Sequence, residues 1–177
     1  ILSSRDPAAN KRKTECLLSA GEIDVREGIG HAIECGKYQD LRTAVHHTVT
    51  SYVKAIATLI KDIDPARRLK VFFLPVLPHA RRRGNAGRFK NRASRRTLQQ
   101  MWNKKLAEVL VPSKVGQEEA GTRETDSSFP QLSFLNIAGD FEENAGPFLR
   151  PELSLDDGTH ANAKAVQIIQ RGIQALT

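Results

Sequence analysis

The sequence predicts an α/β fold in which a small parallel sheet is covered by helices on both faces. Three short apolar runs alternate with three segments of helical periodicity, in the order β-α-β-α-β-α. Strands joined by helical crossovers pair in parallel, and their helices then cover the sheet. The length of 177 residues and the apolar content of 40% suit one domain with a buried core. We therefore expect a single three-layer α/β/α domain.

The three predicted strands are continuous apolar runs that end at glycine or proline. They are Thr14–Ala20, Leu69–Leu74 and Leu132–Ala138. Such runs are typical of strands that are buried on both faces of a parallel sheet. Ligands of open α/β sheets bind at the carboxyl ends of the strands, so we expect functional residues just after these runs.

Apolar residues at three- and four-residue steps predict the three helices. Their ranges are Leu41–Ile63, Leu98–Leu110 and Asn162–Leu176. A proline follows shortly after each of the first two. Residues 113–130 are rich in Gly, Ser, Thr and acidic side chains, and this composition predicts a flexible loop.

The net charge of +7 belongs to one segment, residues 81–96, which has eight basic side chains and no acidic one. Arginine forks match phosphate, sulfate and carboxylate groups, so the segment could recruit an anionic substrate. Binding of nucleic-acid phosphates is a weaker alternative because no recognition motif surrounds the segment. A solvated loop that leads into a helix is the third interpretation. The anion-binding candidates are Arg81, Arg82, Arg83, Arg88, Lys90 and Arg92.

Other classes of protein are excluded by composition. The longest apolar runs are far shorter than the roughly 18–20 residues that span a bilayer. Cys16 and Cys35 are too few for a disulfide scaffold, which favours reduced thiols in the cytoplasm. No group of Cys, His or Asp has the spacing of metal ligands. We expect no membrane partner, no metal and no cofactor.

A carboxylate and an imidazole stand just before the third helix. Asp157 and His160 are three residues apart, so the carboxylate can accept a hydrogen bond from the ring. That bond would fix the tautomer and leave the other ring nitrogen as a general base. Asp156 is a second candidate for orienting the ring. In the alternative interpretation, Asp157 or Thr159 caps the helix and His160 is an exposed residue of its first turn.

A second polar motif follows the first strand. It contains a glycine, two acidic residues and an arginine, namely Gly21, Glu22, Asp24 and Arg26. These side chains stand where a ligand crevice is expected. The alternative interpretation is an ordinary turn in which Arg26 pairs with Glu22 or Asp24.

Together the two motifs resemble the SGNH/GDSL hydrolase family. Asp157-Gly158-Thr159-His160 matches its Asp-x-x-His block, and Gly21-Glu22-Ile23-Asp24 matches the Gly-x-Asn-Asp block after its third strand. The Leu74–Pro78 segment is similar to the exit of its fourth strand. The resemblance covers residues 14–177 and implies a flavodoxin-like parallel sheet. It also implies an N-terminally truncated domain whose first strands lie upstream of Ile1, where a leader could also lie.

The resemblance implies a serine-type ester hydrolase of the carboxylesterase or acyl-esterase class. His160 would take the proton of the attacking serine and return it to the leaving alcohol, while Asp157 would hold the imidazole. Gly21, Glu22, Asp24 and Arg26 would belong to the oxyanion and substrate loop. The implied substrate is an ester, and the basic segment 81–96 suggests an acylated glycan or another anionic ester.

Two features depart from the family pattern. No Gly-Asp-Ser block is present, so the nucleophile would lie upstream of Ile1 and this chain alone is expected to be inactive. Ile23 stands where the family has an asparagine that donates to the oxyanion, so Arg26, another side chain or a backbone N–H would replace it. The alternative function is a non-catalytic α/β module that binds an anionic polymer or nucleic acid through residues 81–96.

Overall fold

The computed structural model describes residues 14–66, 69–78, 92–110, 131–143, 146–153 and 162–176. Three strands form a parallel sheet in the order β1-β2-β3. They are β1 (Thr14–Leu18), β2 (Leu69–Phe73) and β3 (Gln131–Phe134). The α/β class and the parallel pairing predicted from the sequence are confirmed, although each strand ends before the predicted residue.

The described residues contain the three predicted helices and a further short one. The helices are α1 (Ile29–Glu34), α2 (Leu41–Ile63), α3 (Arg92–Leu110) and α4 (Ala163–Gln174). The bounds of α2 are those predicted, and its N-cap Asp40 accepts a hydrogen bond from the Thr43 N–H at 2.8 Å. Asn162 caps α4 in the same way, through the Lys164 N–H at 2.9 Å.

The segment between β1 and α2 is helical and not the loop that the sequence predicted. A π-helical turn, Asp24–Gly28, leads directly into α1. Val25, Ile29 and Ile33 recur at four-residue steps and pack into the core, but the glycines among them hide the periodicity. Glu22, Asp24 and Arg26 therefore stand on a helix.

The end of the basic segment is also helical. α3 begins at Arg92, six residues before the predicted start at Leu98, so part of residues 81–96 is not a loop. No glycine follows Gly87 in the segment, and arginine and alanine are good helix formers. Residues 81–91 and the predicted flexible loop 113–130 lie outside the described residues.

Two hydrophobic clusters hold the layers together, one on each face of the sheet. The first joins α1, α2 and α3 to the β2 residues Val71 and Phe73. The second joins α4 to Phe72 and Leu74 on the opposite face. It also contains Leu149 from a short antiparallel hairpin that the sequence did not predict, β4 (Glu142–Glu143) and β5 (Gly146–Leu149). The two strands are too short to give a period-two pattern.

The prediction that all three strands are buried on both faces is wrong for β1. Its residues Thr14, Glu15 and Leu17 are exposed, and Leu17 retains 40% of its surface. The reason is its position at the edge of the sheet, where only Cys16 and Leu18 pack against the helices of the first cluster. The second cluster contains no β1 residue. Across the described ranges, no helix is long and apolar enough to cross a membrane.

Candidate active site

Gly21 turns the chain from β1 into the following helix. Its φ of +99° lies in the left-handed region, which favours glycine. Its C=O accepts a hydrogen bond from the Val25 N–H at 2.8 Å, which closes the first turn. A Cβ at this position would lie 2.4 Å from Cε2 of Trp102, a fully buried residue of α3. Only glycine therefore permits this contact between the turn and the indole.

The indole N–H of Trp102 lies beside the same turn. Nε1 is 2.7 Å from the position that a Gly21 Cβ would take, and it has no hydrogen-bond partner within the described residues. A buried donor without a partner costs about 1–3 kcal/mol. Costly local arrangements of this kind cluster at functional sites, which favours a functional role for the Gly21 turn.

Glu22 links the helical turn before α1 to α3, because its carboxylate accepts hydrogen bonds from two arginines. Its Oε1 lies 3.3 Å from Arg26 and 3.0 Å from Arg95. The Arg95 side chain is 15% exposed, and its burial lowers the pKa of the guanidinium while the Glu22 charge opposes that shift. The Glu22–Arg26 pair considered from the sequence is thus present. Arg95, a member of the basic segment, is already occupied by a carboxylate.

Asp24 stands in the first turn of the helix and faces α2. A Cβ on Gly28 would lie 3.1 Å from its Oδ1, so a second glycine makes room for this carboxylate. The pKa of Tyr52 on α2 is raised, mainly by burial and further by the charge of Asp24. The Tyr52 ring packs edge-on against Phe73 at the end of β2. Sequence reasoning placed Tyr52 in a helix but did not connect it with Asp24.

Ile23 is the residue that stands in place of the family's asparagine. Its side chain is 65% exposed, although it is a large aliphatic group in the first turn of a helix. It offers no hydrogen-bond donor, whereas the first N–H groups of a helix have no intrahelical acceptor. In this turn the Val25 N–H already donates to the Gly21 C=O, so the groups that remain are the N–H groups that precede it.

Two amide side chains of α3 hold the chain where it leaves β2. Asn103 accepts a hydrogen bond from the Val76 N–H at 2.8 Å and donates to the Val76 C=O at 2.9 Å. Gln99, which is buried, donates to the same C=O at 3.1 Å. Because Trp102 contacts the Gly21 turn, α3 fixes the exits of β1 and β2 together. The contacts of α3 with Gly21 and Val76 join residues that are far apart in sequence, so they could not be predicted from local patterns.

α4 covers the face of the sheet that carries Phe72 and Leu74. Beyond its last turn, the Leu176 C=O accepts from Lys70 Nζ at 3.1 Å, and Lys70 lies close to the start of β2. A Cβ on Gly172 would lie 2.8 Å from Cγ2 of Ile137, just after β3, so the end of α4 lies against both strands. Its cap Asn162 follows His160 by two residues in sequence and donates from its backbone N–H to the Leu153 C=O at 2.7 Å.

The structure describes only part of the predicted site. It brings Gly21, Glu22, Asp24 and Arg26 together with α3 and the exit of β2. Asp157 and His160 lie outside the described residues, so the triad assignment stays a prediction. The anion-binding candidates Arg81, Arg82, Arg83, Arg88 and Lys90 also lie outside, and Arg92 is described only as the first residue of α3.

No group of three His, Cys, Asp or Glu side chains within the described ranges is placed to hold a metal ion. The comparisons with known proteins add no assignment, since no protein-family model and no curated protein matches this sequence. The SGNH/GDSL resemblance therefore rests on the two motifs and their places in the chain.

Proposed function

We propose that the chain acts in ester hydrolysis by a Ser-His-Asp mechanism, with Asp157 and His160 as two members of the triad. The nucleophilic serine is not assigned to a residue of this sequence. The observation that carries the proposal is the left-handed Gly21 turn, which opens a helix at the carboxyl end of a parallel strand. Gly21 lies against a buried indole whose N–H has no hydrogen-bond partner among the described residues. The same edge of a parallel sheet is where open α/β proteins bind ligands.

In the proposed reaction, His160 takes the proton of the serine hydroxyl as the serine oxygen bonds to the ester carbonyl carbon. The proton then passes to the leaving alcohol, and water hydrolyses the acyl-serine by the same route. Asp157 holds the imidazole in the required tautomer and stabilises its cation. The backbone N–H groups after Gly21 and the positive end of that helix stabilise the oxyanion.

Glu22 and Arg26 have a positioning role in this proposal. The Arg26 side chain is 30% exposed and held at 3.3 Å by Glu22, so its guanidinium has a fixed place near the helix start. Because Glu22 and Glu27, the latter at 3.8 Å, balance the charge of this guanidinium, Arg26 stabilises the helix start and does not itself bind an anion. Binding of an anionic polymer through the basic segment gains no support from Arg95, because its guanidinium pairs with Glu22.

The test is ester turnover by the full-length gene product with p-nitrophenyl acetate and butyrate. His160→Ala should lower kcat by about 10⁶-fold and Asp157→Asn by about 10⁴-fold, as loss of the corresponding triad member does in other serine hydrolases. His31→Gln, at an exposed histidine on α1, is the matched control and should keep the parent activity.

Retained turnover in His160→Ala would remove the triad assignment. Loss of activity in Asp156→Asn, with Asp157→Asn unaffected, would move the orienting role to the neighbouring carboxylate. An inactive parent that elutes from heparin only at high salt would favour the anion-binding alternative.

A further inference from the structure

A groove between α2 and α3 lies outside the proposed site and has a basic rim. Its volume is about 400 Å³, and it is formed by the first turns of α2 and the second half of α3. Three cationic side chains line it, from Arg42, Lys104 and Lys105, together with the imidazole of His46 and one carboxylate, Glu108. The three cations outnumber the one carboxylate, and an excess of positive charge in a cleft raises the local concentration of anions.

The floor of the groove is apolar. Val45 is buried and Met101 is half-buried, and both line the space between the two helices. A methionine side chain is flexible and polarisable, so it adapts to the shape of a ligand. The combination of an apolar floor and a basic rim fits an anion that carries an apolar group.

Two of the cations have no acidic partner in the part of the chain that the structure describes. Glu108 pairs with Lys105 at 3.3 Å, and no described ion pair involves Arg42 or Lys104. Asp40, beside Arg42, turns its carboxylate to Thr43, from which it accepts two hydrogen bonds. This carboxylate caps the N-terminus of α2, and the charge of Arg42 contributes to lowering the pKa of Asp40, after its hydrogen bonds to Thr43.

We propose that the α2–α3 groove binds a phosphate monoester that carries an apolar group. The phosphate lies between Arg42 and Lys104, with His46 at its side. The apolar group lies on Val45 and Met101. A forked guanidinium and a mobile ammonium together satisfy the oxygens of a phosphate, as arginine and lysine do at other phosphate sites.

Met101 provides a direct readout, because it is the only methionine in the sequence. Labelling the protein with [methyl-¹³C]methionine gives a Met101 methyl resonance, assigned by its loss in Met101→Leu, that reports on the floor of the groove. We expect phenyl phosphate to shift this resonance with saturation. Inorganic phosphate should bind about tenfold more weakly because it lacks the apolar group, a difference of about 1.4 kcal/mol. Phenol should cause no saturable shift.

Substitutions of exposed side chains distinguish binding in the groove from non-specific attraction of the ligand to a positively charged protein. Arg42→Gln and Lys104→Gln change exposed side chains, and each should weaken phenyl phosphate binding by about tenfold, since each removes a charge-assisted hydrogen bond. Lys104→Arg should retain binding. Lys54→Gln, at an exposed position further along α2, removes one positive charge outside the groove and should leave binding unchanged.

A Met101 shift that grows linearly without saturation would overturn the proposal, as would equal weakening by Lys54→Gln and Lys104→Gln. Equal affinity for inorganic phosphate and phenyl phosphate would overturn the proposed class of ligand. Since Asp157 and His160 take no part in this binding, the result is independent of the proposed esterase activity.

Discussion

At the scale of single residues, Gly21 decides how closely the end of β1 and α3 can approach. The sequence identified it as a site residue because it follows an apolar run. Its positive φ and its contact with Trp102 depend on a residue 81 positions away, which no local pattern encodes. The ion pair between Glu22 and Arg95 is equally non-local, since its partners are 73 positions apart. The polar motif after β1 could therefore be predicted from the sequence, whereas its contacts with Trp102 and Arg95 could not.

The Gly21→Ala substitution should destabilise the protein by about 3 kcal/mol. A left-handed conformation costs an L-residue about 1–2 kcal/mol, and overpacking against the buried indole adds about 1–3 kcal/mol. The measurement is urea denaturation followed by tryptophan fluorescence, which Trp102 alone supplies.

Substitutions at two other glycines distinguish the cost of the left-handed backbone from the cost of overpacking against the indole. Gly36→Ala meets the same left-handed region, at φ +71°, but no atom within 4 Å, so it should cost only about 1 kcal/mol. Gly139→Ala meets neither constraint and should lie within about 0.5 kcal/mol of the parent. A Gly21→Ala variant as stable as Gly36→Ala would show that the indole does not restrict the turn.

At the scale of elements, apolar periodicity predicted best where a helix is long and free of glycine. The bounds of α2 could be predicted because its apolar face is regular from Leu41 to Ile63 and Asp40 caps its start. The helix that includes α1 was missed because Gly28 and Gly30 interrupt its pattern. The early start of α3 was missed because Arg92 and its neighbours carry no apolar stripe, so only helix propensity indicated it.

The contact between α3 and the exit of β2 depends on Asn103. Asn103→Ala should destabilise the protein by about 1–3 kcal/mol, because the Val76 N–H loses its acceptor in a buried position. Amide hydrogen exchange at Val76 should become faster in the same variant. Gln100→Ala, at an exposed position of α3, is the control and should change the stability by less than about 0.5 kcal/mol. Unchanged exchange at Val76 would show that Asn103 does not hold this exit.

At the scale of the whole molecule, the proposed function requires both polar motifs to lie at the carboxyl ends of the strands. Parallel pairing puts the ends of β1 and β2 on one edge, where Gly21 and Val76 already lie against α3. The resemblance to the SGNH/GDSL pattern predicts that the Asp157–His160 motif, just before α4, lies on the same side. The sequence predicted the order of elements and this shared edge. The apolar run of β1 predicted burial on both faces, whereas the strand lies half-exposed at the margin of the sheet, as expected of a strand with no neighbour on one side.

The proposed function requires the Asp157–His160 motif to lie close to the Gly21 turn, at the carboxyl ends of the strands. Distances between paired spin labels test it in this chain directly, with Cys16→Ser and Cys35→Ser as background. One label replaces Thr159, and the other replaces Ile23 at the helix start or Ile63 at the far end of α2. Ile23 and Ile63 are both exposed, at 65% and 64%, so either position accepts a label without disturbing the core.

Loops at one edge of a three-stranded sheet lie within about 20 Å of one another, since neighbouring strands are about 4.8 Å apart. The account predicts a Thr159–Ile23 distance in that range and a Thr159–Ile63 distance that is longer by about 10 Å or more, because the 23-residue α2 helix separates the two edges. A Thr159 label that lies closer to Ile63 than to Ile23 would place the motif at the opposite edge and contradict the account.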